Sequence, residues 1–163
     1  MAKIQPSTRR VFAAEHQRLD EMLAQVERAW ADGNAELGAE LYARVARNLE
    51  RHMAVESRYL FAAVREHGDA AAIALVASLD VEHAEIARRL ADVSGHVDAL
   101  APSVGAELEA LAALVRAHEL REEERLFPAC DTFVDPGVRA TAARELDRLV
   151  SGPPSRSRGP LED

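Results

Sequence analysis

Two stretches of this chain, 66 residues apart, carry one spaced pattern: His52, Glu56, Leu60 and Phe61, then His118, Glu122, Leu126 and Phe127. A lone histidine precedes each. His16 lies 36 residues before His52, and His83 lies 35 residues before His118. On an α-helix, positions i and i+4 share a face, with Cβ atoms about 6 Å apart. Each His-x3-Glu pair can therefore converge on one point from its own helix. The order His, His-x3-Glu, twice over, asks for four helices that bring these points together.

The rest of the sequence supplies those helices. Ser7 or Thr8 can cap a first helix to about Asp32, with Phe12, His16, Leu19, Leu23 and Val26 on its inward stripe. Asp32-Gly33-Asn34 is a turn. A second helix is expected from Ala35 to Glu66, with Leu41, Val45, Leu49, His52, Glu56 and Leu60 facing in. A third is expected from Ala70 to Ser94, with Leu79, His83, Ile86 and Leu90 on one face. Gly95–Pro102 reads as a loop, and Ser103 as the cap of a fourth helix ending near Phe127-Pro128. Asp135-Pro136 starts a short fifth helix striped by Val138, Ala142, Leu146 and Leu149.

The expected fold is all-α: an antiparallel up-down-up-down four-helix bundle over 8–130, a short C-terminal helix over 134–151, and a disordered Pro/Gly/Ser-rich tail over 152–163. The histidines test this arrangement independently. The chain lengths from His16, His52 and His83 to the turns between them match to within about one helical turn, at about 1.5 Å per residue. Antiparallel packing then sets all four at nearly one level.

Composition narrows the function classes. The formal net charge of −8, a 4% aromatic fraction and the lack of any basic stripe exclude nucleic acid and anionic membranes as main partners. One cysteine, Cys130, excludes an intrachain disulfide framework and reads as a buried, inert thiol. No leader and no run of about 18 apolar residues is visible, so a cytoplasmic location is expected.

Four imidazoles and two carboxylates make a ligand set for two transition-metal ions, with iron the leading candidate. The expected metal ligands are His16, His52, Glu56, His83, His118 and Glu122. A carboxylate can bridge two ions, which a neutral imidazole cannot do. Two six-coordinate ions offer about twelve positions. Bridging glutamates would fill about four, histidines about four and a bridging oxo or hydroxo group about two, leaving about two open. Without metal, six polar groups would share one buried layer, each costing roughly 1–3 kcal/mol if unsatisfied.

Other polar residues carry weaker expectations. His67 and His96 fall at turns and are expected in solvent. Glu15 and Glu82 point about 100° from the histidines they precede and are assigned to the surface, as are Glu123 and Glu124. Asp20, at i+4 from His16, and Tyr59, seven residues after His52, are candidates for the surroundings of a bound ligand.

The stretches Glu15-His16, His52-Met-Ala-Val-Glu56, Glu82-His83-Ala-Glu-Ile86 and His118-Glu-Leu-Arg-Glu122-Glu-Glu-Arg-Leu-Phe-Pro128 together resemble the hemerythrin-like, HHE cation-binding family. The resemblance spans about 115 residues. It implies a four-helix bundle around a non-haem di-iron centre, two Fe ions with an oxygen-derived bridge, ligated by the six residues above. Leu79 stands where oxygen-carrying hemerythrins place a further histidine, so the set looks like the bacterial branch with four histidines and two glutamates. Ser57 and Ala62 replace a Glu and a Pro common in the second-helix motif.

Ferritin-like bundles need Glu-x-x-His, which Leu49, Asp80 and Val115 do not provide. His118-Glu119 opens like a zincin motif, but the fifth position is Glu122. The expected function is binding or sensing of O2, NO, peroxide or iron. The alternatives are an enzyme for peroxide decomposition or NO reduction, and a structural bundle that holds Zn or no metal.

Overall fold

The structure, a computed structural model, describes residues 7–150. The expected tail over 152–163 lies outside them. The described residues form helices and turns with no strand. We number five helices: α1 (Thr8–Ala31), α2 (35–67), α3 (Ala70–Asp98), α4 (104–133) and α5 (Pro136–Val150). Helix α1 packs on α2 and α4, and α3 packs on the same two, closing a four-helix ring. Short connections between packed neighbours make them antiparallel.

Polar side chains at the helix starts explain three of the boundaries. Ser7, Asn34 and Asp69 accept hydrogen bonds from the backbone N–H groups of Arg10, Leu37 and Ala72. Thr8 lies inside α1 instead. Its hydroxyl and N–H both donate to Asp131, tying the start of α1 to the end of α4. The α1–α2 turn places Gly33 at φ +75°, a conformation that suits glycine. Gly38 then faces Trp30, where an added Cβ would sit 2.6 Å from the indole ring.

Two expectations about α3 and α4 need correction. Helix α3 continues through Gly95 to Asp98, because His96 and Val97 keep the helical register and Val97 is buried in the core. The connection is therefore shorter than Gly95–Pro102. Ser103 precedes α4 but its side chain makes no capping hydrogen bond. Helix α4 also runs past Pro128 to Phe133.

Both motif helices widen at the same place. Residues Glu56–Phe61 of α2 and Glu122–Leu126 of α4 form π-helical turns, each starting at the motif glutamate. The Phe127 N–H bonds to the Glu122 carbonyl five residues back. A proline normally crowds the carbonyl four residues before it. The wide turn preceding Pro128 relieves that crowding and lets α4 continue.

The core divides in two. One cluster includes Leu19, Leu23, Val45, Leu49, Ile86, Leu90, Leu111 and Val115. The other includes Phe12, Val55, Leu60, Phe61, Leu79, Leu126 and Phe127, and is extended by Ala142 and Leu146 of α5. On every bundle helix the motif histidine lies between the two. The polar residues thus form a thin layer sealed by apolar packing at both ends.

Candidate metal centre

His16, His52, His83, His118, Glu56 and Glu122 all meet in that layer, and each is at most 8% exposed. They form two groups of four: His16 and His52 with both glutamates, and His83 and His118 with the same two glutamates. The carboxylates divide their oxygens between the groups. Glu56 Oε1 lies 3.1 Å from His52 Nε2 and 3.8 Å from His16 Nε2, while Oε2 lies 3.5 Å from His83 Nε2. Glu122 Oε2 lies 3.4 Å from His16 Nε2, and Oε1 lies 3.2 Å from His118 Nε2 and 3.7 Å from His83 Nε2. A carboxylate with one oxygen toward each of two nitrogen pairs is placed to bridge.

Hydrogen bonding does not satisfy this layer. All four oxygens of Glu56 and Glu122, and the Nε2 atoms of His83 and His118, are buried without a hydrogen-bond partner. Burial alone would depress the imidazolium of His16, but the neighbouring Glu122 and Glu56 carboxylates push its pKa up to about 11. The same balance raises His83 to about 9. Burial would raise Glu56, yet the surrounding imidazoles, His52 foremost, hold it well below the carboxylate range. In the metal-free protein, protons thus supply positive charge between the two carboxylates. A cation can take their place, and the orphaned donor atoms fit one on each side of the glutamates.

The outward ring nitrogens have partners among residues whose helix direction alone predicts surface positions. Glu123 Oε1 lies 3.0 Å from His16 Nδ1, and Glu82 Oε2 lies 2.8 Å from His118 Nδ1. Carboxylates only accept, so these Nδ1 atoms donate, which leaves Nε2 as the inward nitrogen whose lone pair is free for a metal once the ring is neutral. Glu82 and Glu123 are therefore corrected from solvated surface residues to orienting partners. Glu82 also pairs with Arg121, which donates to Ser78. On the other half, Ser57 Oγ is 3.2 Å from His83 Nδ1, and His52 Nδ1 is buried without a partner. Glu15, likewise expected at the surface, is 7% exposed and binds Arg18 through both oxygens.

The motif phenylalanines have a matching role. Phe61 stacks on His83 with centroids 4.9 Å apart, and Phe127 stacks on His16 at 5.6 Å. Each aromatic ring of an His-x3-Glu helix holds the lone histidine of another helix.

Tyr59 does not join the centre. It packs against the cluster that includes α5, under the Arg58 guanidinium at 5.4 Å, in a surface pocket with Glu145. More residues per turn in a π-segment mean that each advances less around the axis. Seven residues after His52 therefore falls short of the inward face, and Leu60 takes it. Asp20 lines a pocket that reaches His16 and faces Arg116 at 4.0 Å; it makes no hydrogen bond to a candidate ligand. Glu119, which the sequence marks only as the second residue of an incomplete zincin motif, is 5% exposed, and burial pushes its pKa up to about 8. His67 and His96 are exposed and Glu124 is solvated, as expected. Cys130 is buried, and burial raises its thiol.

Glu82→Gln and Glu123→Gln should each weaken metal binding by roughly 10–100-fold, the usual cost of losing a carboxylate behind a ligand histidine. Competition with a chelator of known affinity measures this. Unchanged affinity in both variants would return the two glutamates to the plain surface.

No helix among the described residues is long and apolar enough to cross a membrane. No curated protein and no solved structure matches the chain. The model of the hemerythrin HHE cation-binding domain does match, over residues 7–130, which takes in both glutamates, all four buried histidines and the whole four-helix ring except its last few residues. The chain therefore belongs to the hemerythrin HHE cation-binding family, and its buried His/Glu cluster fits a metal-binding role.

Proposed function

We propose that this chain is a non-haem di-iron protein that binds a small diatomic molecule or peroxide at a centre of four histidines and two glutamates. One observation carries the reading: Glu56 and Glu122 belong to both four-residue groups and turn opposite oxygens toward opposite histidine pairs. A single ion would not need two shared carboxylates. His16 and His52 would hold one ion and His83 and His118 the other. The mixture of imidazole and carboxylate donors suits iron. Each group supplies four donor atoms, fewer than a six-coordinate ion accepts, which supports room for an oxo or hydroxo bridge and an external ligand. When bound, the pair of ions would supply reversible redox change beside that open position. The chain's own residues orient the imidazoles through Glu82, Glu123 and Ser57, and keep water out with two apolar clusters.

A second reading, an enzyme that breaks down peroxide, draws support from Leu79. It is fully buried, one turn before His83, where it offers no donor to the second ion. With less saturated coordination there, the reduced protein should oxidise quickly in air without reversible oxygen uptake, and the oxidised protein should consume peroxide.

Anaerobic loading with ferrous iron, followed by exposure to O2, peroxide or NO with optical monitoring, tests both readings. About two irons per chain and oxo-to-iron absorption after oxidation are expected. A single tightly bound ion would overturn the di-iron reading. Stable, reversible oxygen uptake with no peroxide consumption would overturn the second.

A further inference from the structure

The centre is closed, yet an ion must reach it. Among the described residues, a pocket of about 350 Å³ between α1 and α4 touches one of the candidate ligands, His16. Asp20, Glu119 and Glu123 line it, against one lining guanidinium, Arg116. Arg9 adds a distant contact, 3.8 Å from Glu123. A divalent cation with six waters needs roughly 200 Å³ at about 30 Å³ per water, so it fits.

Glu119 sets this pocket apart from an ordinary acidic patch. It lines the pocket while only 5% exposed, and its Oε1 is buried with no hydrogen-bond partner. Asp20 Oδ1 is also buried without one. Glu119 also stands one turn of α4 before Glu122. Exposure falls along the series Asp20, Glu119, Glu122, from a half-buried side chain to 5% and then 0%. Hard oxygen donors of this kind take divalent cations, whereas an anion would meet the charges of Asp20 and Glu123.

We propose that this pocket is the route by which ferrous iron reaches the centre, with Asp20 and Glu119 binding the ion in passing before His16 and Glu122 receive it. The inference rests on the di-iron reading above. It assigns Asp20 a role outside the centre, and gives Glu119 a reason to be buried with an unused oxygen. Arg116, beside Asp20, opposes the incoming charge and limits the rate.

The test is the rate at which the metal-free full chain takes up ferrous iron, followed anaerobically by stopped flow, with iron per chain measured at the end point. Asp20→Asn combined with Glu119→Gln should slow loading by roughly tenfold or more and reach the same final iron content. Arg116→Gln should speed it. Glu27→Gln combined with Glu109→Gln removes two acidic charges from another pocket and should leave the rate unchanged. Equal rates in the unaltered chain and in Asp20→Asn/Glu119→Gln would overturn the route. A lowered final iron content in that variant would also overturn it, because Glu119 would then belong to the centre itself. Failure of the unaltered chain to take up about two irons would instead strike the di-iron reading, and the route with it.

Discussion

Replacing Glu56 or Glu122 by alanine is expected to empty both metal positions at once. Each glutamate turns one oxygen to each histidine pair, so its loss removes a donor from both groups. It also leaves four buried imidazoles around one remaining carboxylate, and buried charge without a partner is costly. Loss of affinity should exceed the roughly 10–100-fold typical of an outer partner, and iron content after gel filtration should fall close to zero. His52→Ala and His118→Ala each remove a donor from one group only. They should lose the ion on their own side first and retain part of the other. His67→Ala and His96→Ala, exposed and outside the layer, should retain full iron content. A Glu56→Ala chain that still binds two irons would sink the bridging assignment. So would equal losses from all four histidine substitutions.

The contrast between glutamate and histidine was only partly legible in the sequence. The spacing of His52 with Glu56 and of His118 with Glu122 predicts the shared face, and the turn positions predict the shared level. Both hold, because periodicity and chain length are local properties. Which histidines pair was not legible. Each bundle helix has two neighbours, and His16 joins His52 and His83 joins His118 only through the tertiary arrangement that turns their rings toward each other.

The partners behind the histidines are hidden from the sequence for a related reason. Glu82 does point away from His83, as a 100° step requires. That direction leads across the bundle to His118 rather than to solvent. Glu123 in the same way reaches His16 from α4. A single helix read alone cannot distinguish solvent from a neighbouring helix on its flank. The π-turns were hidden too, since a stripe counted at α-helical spacing assumes the spacing it tests. That assumption brings Tyr59 near the inward face, while Leu60 and Phe61 keep the apolar pattern in either geometry. Leu-Phe after each glutamate is the nearest signal: the two rings end up on His83 and His16.

Iron should stabilise this protein more at alkaline than at acidic pH, while the metal-free protein should show the opposite trend. The signs follow from the buried groups. Burial opposes charge on His16 and His83, but the carboxylates beside them raise their pKa values from 6.5 to about 11 and about 9. Their contribution to metal-free stability is full below about pH 6.5. It is lost as pH rises through the folded values. Burial also lifts Glu119 from 4.5 to about 8, so its contribution, full below about pH 4.5, fades as pH rises from there through about 8. Glu56 and Glu122 are held low, and their contribution, present above about pH 4.5, is constant there. The metal-free melting temperature should therefore fall between pH 6.5 and 8.5. Iron binding requires neutral imidazoles and releases protons, so apparent affinity rises over that interval. At about a thousandfold excess over Kd, each ion adds about 4 kcal/mol. At roughly 2–4 °C per kcal/mol for a chain of this size, two ions should raise the melting temperature by more than about 15 °C. Anaerobic differential scanning calorimetry at pH 6.5 and 8.5, with and without ferrous iron, measures all four values. An iron-induced rise that shrinks with pH would contradict the exchange of protons for metal between Glu56 and Glu122.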